Sequence, residues 1–286
     1  MIQFFMSEHN VALIVHTCDR YAFLYKGFGI FFSRYWDNAA NCNYYFATET
    51  SDFYFGNFQN IQSGKGEWAD RLAFVLREKI REKYILYFQE DMWLTRPTQA
   101  SFFNQLFELA EKNDWQQVKL HSSNTYITEP GNLFINGFQI ATLDNARSGF
   151  LMSHQVTLWN KDFLLAQLCK NEHPWRNERR GTQRLKKLNP QIRQADYFSE
   201  NGKPENNRNK AGALGSAYQT VSVNGTLGSP VQFYIGELLN NPAHQQHMEY
   251  GLQLQHNYQQ QLTHDGLAKP RKTDIFKRIK NLIRSK

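Results

Sequence analysis

The chain has 286 residues, 41% of them hydrophobic, and its 22 Phe, 14 Tyr and 6 Trp supply the bulk of a sizeable core, which excludes a disordered polymer. A mean hydropathy of −0.63, with no run near the roughly 20 apolar residues of a spanning helix, excludes a helical integral membrane protein. The formal net charge of +7 sits entirely in residues 269–286, with eight Lys and Arg against one Asp, so the balanced body gives no support to a basic nucleic-acid-binding face.

The apolar run VALIV at 11–15 predicts a buried strand that ends in the polar residues His16 to Arg20. Residues 21–36 carry helical spacing and 43–48 (NYYFAT) predict a second strand. A turn at 63–66 precedes a helix over 67–83, in which Trp68, Leu72, Val75, Leu76 and Ile80 share one face. YILYF at 84–88 is the clearest strand. Pro97 opens a helix to about residue 112, and 117–120 form another strand. This β-α-β-α-β-α-β order predicts an α/β fold with a mostly parallel sheet and helices on both faces. Beyond it, 124–146 are loop-rich and 150–159 have strand character. Asn160 is expected to cap a helix over 161–170, and a further helix starts at Pro174. Residues 199–216 predict a polar loop and 218–223 a strand, while the Gln-rich stretch 249–262 is left open.

Asp91 follows the best strand, at the end where open α/β sheets bind ligands. Strand alternation puts Gln89 and Asp91 on one side and Glu90 on the other. A carboxylate there can hold a divalent cation that bridges a diphosphate.

YILYFQEDMWL resembles the strand and acidic motif of GT-A-type glycosyltransferases, in particular bacterial enzymes that build surface polysaccharides such as lipopolysaccharide and capsule. VALIVHTCDRYAFL is similar to their opening strand and nucleotide-binding loop, and GEWADRLAFVLREKI to the helix before the acidic motif. SHQVTLWNKDFLLAQL with HPWRNE is similar to an acceptor-side segment, so the likeness spans about 10–182 in patches. It implies a GT-A-like domain over 1–268, with a donor half of about 1–123 and an acceptor half of 124–268. The loop Thr17, Asp19 and Arg20 would hold the nucleoside, and Gln89, Glu90 and Asp91 would face the donor diphosphate. Gln89 stands where the family's D-x-D motif has its first Asp, so Mn²⁺ or Mg²⁺ at Asp91 is left open; some such enzymes use cationic side chains instead. Glu178 matches a W-x-x-E pattern and is the expected catalytic base for the acceptor hydroxyl. His154, Trp159 and Trp175 would line the acceptor side, Trp175 offering a flat face to a sugar ring.

SGKGEW lacks the P-loop pattern, yet Lys65 and Arg71, near a helix start, can meet a phosphate. His244 and His247 have metal-like spacing with no third ligand near in sequence, and His121-Ser122 lies in no nucleophile elbow. Cys18, Cys42 and Cys169 form no C-x-x-C pattern, and MIQFFMSEHN lacks a basic n-region, so a cytoplasmic protein is expected.

In the tail, Ile275, Phe276, Ile279, Leu282 and Ile283 share one helical face, with Lys272, Lys277 and Arg278 around it. That pattern predicts an in-plane helix on an anionic membrane, holding the protein at the cytosolic face. The expected function is transfer of a sugar from a nucleotide-diphosphate sugar to a glycan or lipid-linked acceptor, with no nucleic-acid partner. A glycoside hydrolase with paired carboxylates and a non-catalytic membrane-peripheral glycan-binding protein of the same fold are the competing expectations.

Overall fold

The structure is a computed structural model describing residues 9–201, 208–240 and 244–268. The chain falls into two compact units, 1–221 and 222–286. The first unit runs β1 (Val11–His16), α1 (Ala22–Tyr35), β2 (Asn43–Thr48), β3 (Gln59–Gln62), α2 (Trp68–Glu78), β4 (Tyr84–Phe88), β5 (Met92–Leu94), α3 (Ala100–Lys112), β6 (Gln117–His121), β7 (Thr128–Glu129), β8 (Phe134–Ile135), β9 (Phe138–Gln139), β10 (Ala141–Leu143), β11 (Thr157–Asn160), α4 (Lys161–Gln167), α5 (Pro174–Leu188), β12 (Ile192–Glu200) and β13 (Ser216–Thr220). Among the described residues eleven strands form one sheet in the order β3-β2-β1-β4-β11-β6-β12-β10-β7, with β13 against β12 and β5 against β13. β3, β2, β1 and β4 are parallel. β11 runs against both β4 and β6, and β12 returns parallel to β6. This is an α/β architecture, as expected from the sequence.

Both faces of β1 are covered, which explains its unbroken apolar run. On one face Ala12 and Ile14, with Ile85 and Tyr87 of β4, pack against Leu72, Val75 and Leu76 of α2, Leu164 of α4 and Leu185 of α5. The other face is aromatic: the Phe28 and Phe46 rings lie 6.0 Å apart, Phe32 and Phe88 6.3 Å, and Phe103 and Phe198 6.2 Å.

The α2 helix stops at Glu78, short of the expected residue 83. The chain there turns inward so that the buried Glu82 carboxylate can accept from Asn43 Nδ2 (2.6 Å) and Tyr45 Oη (2.9 Å). Asn160 caps α4 as expected, accepting from the Phe163 N–H at 3.1 Å. The expected loop at 199–216 begins inside β12, a strand that the polar sequence hid.

Gly27 of α1 is where β5 crosses the helix. A methyl group there would lie 2.1 Å from Cη2 of the fully buried Trp93, whose indole N–H donates to the Glu90 carbonyl at 2.9 Å. Gly27→Ala should therefore cost at least about 2 kcal/mol, read as a lower midpoint in chemical denaturation.

In the second unit, β14 (Ser222–Val223) and β15 (Thr226–Leu227) form a hairpin, followed by α6 (Val231–Leu239) and α7 (Gln245–Gln259). Asn224 and Gly225, with φ of 52° and 81°, make its two-residue turn. The stretch left open at 249–262 is mostly α7, which buries Tyr250 and Leu254. Among the described residues no helix is long and apolar enough to cross a membrane. The amphipathic tail, Lys272 to Ile283 included, lies outside the described residues.

Candidate active site

Parallel strands deliver their carboxyl ends to one edge of a sheet, and ligands bind there. At that edge β1 ends in His16, β2 leads into Glu49, β4 into Gln89-Glu90-Asp91, β6 ends in His121 and β12 in Glu200. Because β11 runs the other way, the segment before it reaches the same edge.

The loop after β1 is pinned from below. The Asp19 carboxylate accepts from the backbone N–H groups of Glu49 (2.9 Å), Thr50 (2.9 Å) and Ser51 (3.0 Å) and from Thr50 Oγ1 (2.8 Å). Partial burial raises its pKa, but these bonds outweigh that and hold it below the usual carboxylate range. Arg71 is buried, its Nη1 donating to the Thr17 carbonyl at 2.8 Å and its Nε 3.6 Å from Glu49. Thr17 is buried as well, its hydroxyl bonded to Tyr25 Oη (2.7 Å) and the Ala47 carbonyl (2.9 Å). Asp19 and Thr17 thus spend their polar atoms on shaping the loop, and Arg71 commits Nη1 to it. Arg20 and Lys65 are left exposed beside it.

At the acidic motif Glu90 is buried while Gln89 and Asp91 are half-buried, as alternation expects. β4 ends at Phe88 and the chain turns at once, with the Met92 N–H donating to the Gln89 carbonyl at 3.2 Å. Adjacent in sequence, Glu90 and Asp91 lie within electrostatic reach of each other. Burial pushes the Glu90 carboxyl well up, the Asp91 charge adds to this, and Arg71 offsets part of it. Burial also raises Asp91, to about 7, with the Glu200 charge acting in the same direction.

Glu178 stands one turn into α5. That helix starts at Pro174, capped by His173 Nδ1, which accepts from the Arg176 N–H at 3.3 Å. Glu178 Oε1 accepts from the His154 N–H at 2.9 Å. Burial raises its pKa and Glu200 adds to this; the His154 N–H and the Lys119 charge oppose it. Lys119 of β6 is wholly buried, and burial lowers its pKa to about 7 against the pull of Glu178. Its Nζ donates to the Phe150 carbonyl at 3.0 Å and lies 4.9 Å from the Tyr126 ring centroid. Tyr126 Oη in turn bonds His121 Nε2 at 2.8 Å.

Two acceptor-side expectations need correction. Trp159 is 1% exposed and packs against Phe163 in the core, because β11 is a central strand. His154 is buried, its ring 4.1 Å from that of Trp68, and burial lowers its pKa to about 3. Trp175, by contrast, is 61% exposed, three residues before Glu178 on the same face of α5.

Lys119, Glu200 and His16 lie in no sequence motif. The polar alternation of Gln117, Lys119 and His121 in a buried strand was the available signal for Lys119; Glu200 had none, lying in an expected loop. Among the described residues no three His, Cys, Asp or Glu side chains stand close enough to hold a metal ion, His244 and His247 included.

The described residues form an α/β protein whose strand-end edge gathers several carboxylates. Neither a protein-family model nor a curated protein matches the sequence. Among solved structures, the chain is similar to S. aureus TarS residues 1–349, with a TM-score of 0.43 and 10% identity over 87% of this chain and 70% of that one. The same TarS fragment in complex with UDP gives 0.44 over the same shares. CMP:2-keto-3-deoxy-manno-octonic acid synthetase complexed with CTP gives 0.35 and 14% identity, over 64% of this chain and 88% of that one. At such scores the likeness carries no functional assignment.

Proposed function

We propose that the chain is a glycosyltransferase that moves a sugar from a nucleotide-diphosphate sugar to a glycan or lipid-linked glycan acceptor in cell-surface polysaccharide synthesis. The observation that carries this reading is the meeting of Asp91, Glu90, Glu178 and Glu200 with Lys119 at one strand-end edge, beside a pinned loop after β1. The loop at Thr17 to Arg20 holds the nucleoside through its fixed backbone. Exposed Arg20 and Lys65 offset the charge of the diphosphate as it leaves. Asp91 keeps its proton up to about pH 7, so as a neutral acid it can donate a hydrogen bond to a phosphate oxygen where a carboxylate would repel it. Glu178, ionised, takes the proton of the attacking acceptor hydroxyl, and Trp175 stacks on the acceptor sugar. The basic tail holds the enzyme on an anionic membrane at the cytosolic face, where a lipid-linked acceptor is presented.

A thermal-shift screen tests donor binding. A nucleoside diphosphate or its sugar at a hundredfold over its Kd contributes about 2.7 kcal/mol and should raise the melting temperature by several degrees. The screen is run with and without Mn²⁺ or Mg²⁺, and a shift that does not need the cation is expected. No shift with any nucleotide would remove the reading.

A further inference from the structure

Residues 149–154 form a strap held from several sides. The Gly149 N–H donates to the Thr125 carbonyl (2.9 Å), and from β6 Lys119 Nζ donates to the Phe150 carbonyl (3.0 Å) and Gln117 Nε2 to the Leu151 carbonyl (3.0 Å). From α5, Thr182 Oγ1 accepts from the Met152 N–H (3.2 Å) and Glu178 from the His154 N–H (2.9 Å). Within this strap Phe150 has a φ of 50°, the left-handed region in which a bulky side chain is a steric outlier. Burial of the ring does not offset that strain, because Phe150 is 52% exposed. A strained backbone that the surrounding bonds over-determine, presenting an aromatic ring to solvent, points to a ligand for that ring.

The strap also carries the N–H that binds the Glu178 carboxylate, and the cation on the Phe150 carbonyl is the one that acts on Glu178. Ring and carboxylate therefore share one rigid frame. Ser148 and Leu151 are buried and Gly149 has no side chain, so the strap offers solvent a single ring at this point. One ring matches the C–H face of one sugar; a peptide helix or a lipid needs a wider apolar surface.

We propose that Phe150 is a binding platform that stacks on a pyranose ring of the acceptor, with Lys119 as the positioning residue that holds its backbone. Naming that sugar the acceptor rests on the transferase reading; the stacking itself needs no donor.

The test compares full-length wild type with Phe150→Gly, Phe150→Ala and Phe150→Tyr for binding to an array of soluble oligosaccharides, with melting temperature and nucleotide thermal shift as controls. Phe150→Gly should melt higher, because glycine adopts φ 50° without penalty. It should keep the nucleotide shift and bind array glycans at least tenfold more weakly, as should Phe150→Ala, while Phe150→Tyr binds like wild type. If Lys119 acts through Phe150, Lys119→Met should lower glycan binding in wild type and add nothing in the Phe150→Gly background. A Phe150→Gly protein that melts higher and binds glycans undiminished overturns the proposal, as does a wild type that binds no glycan on the array. A wild type that binds glycans through Phe150 but shows no nucleotide shift leaves the platform standing and overturns the transferase reading instead.

Discussion

Asp91→Ala is expected to abolish donor turnover in a chain that stays folded, and Asp91→Asn, whose amide N–H can still donate to a phosphate oxygen, to keep part of it while raising the melting temperature above about pH 7. The folded carboxyl is raised to about 7, against about 4 in the unfolded chain, with burial the larger cause and Glu200 the smaller. Between those values the folded state holds a proton that the unfolded state has released. Stability contributed at Asp91 is therefore fully present below about pH 4 and is lost as pH climbs to about 7. Each unit of such a shift counts about 1.4 kcal/mol, and the partial exposure of Asp91 lets solvent screen part of it. An amide cannot ionise, so Asp91→Asn should melt several degrees above wild type near pH 8 and level with it near pH 4. Differential scanning calorimetry at the two pH values reads this directly. A variant that is more stable near pH 8 marks a carboxyl kept at a cost to the fold. Equal melting near pH 8 would place Asp91 in open solvent and remove its proposed part in binding the diphosphate.

Glu178→Gln should lower acceptor turnover by about 10²- to 10⁴-fold, the usual range for removing a general base, with the nucleotide thermal shift unchanged. The amide oxygen can still accept from the His154 N–H, so the start of α5 and the strap at 149–154 keep their geometry. In wild type the acid limb of turnover should lie above the ordinary carboxylate range, because burial and then Glu200 raise the Glu178 pKa more than the His154 N–H and Lys119 lower it. That limb should disappear in Glu178→Gln, as a pH–rate profile of both proteins shows. An unchanged rate would assign the proton to another group, with Glu200 the next to test.

Much of the fold was legible because its signals are local. β1 and β4 are continuous apolar runs, and α2 repeats its apolar residues at three and four, so burial on both faces or on one follows from the sequence directly. β12 was not legible. Its Gln194 and Asp196 are buried polar residues, and Arg208, which bonds Asp196 at 3.4 Å, follows twelve residues later. The same distance problem governs the site. Asp19 is a polar residue after a strand, open to a nucleoside, until the backbone of 49–51, thirty residues on, takes its oxygens. Trp159 fitted a patch of family likeness, yet β11 inserts between β4 and β6 and carries it into the core. The carboxylates at Glu90 and Asp91 were found from the strand end, but the Glu200 charge that acts on Asp91 comes from β12, more than a hundred residues on. Phe150 gave no signal, because a left-handed backbone at a phenylalanine is imposed by bonds from β6 and α5 and not by its own neighbours.

The most direct measurement is release of nucleoside diphosphate from a panel of nucleotide-diphosphate sugars, by wild type and Asp91→Ala side by side, with an oligosaccharide mixture as acceptor. Wild type should release the nucleotide from at least one donor, faster with acceptor than without, and a folded Asp91→Ala should release none above background. No release from any donor by wild type, or equal release by the two proteins, would contradict the assignment of this strand-end site to glycosyl transfer.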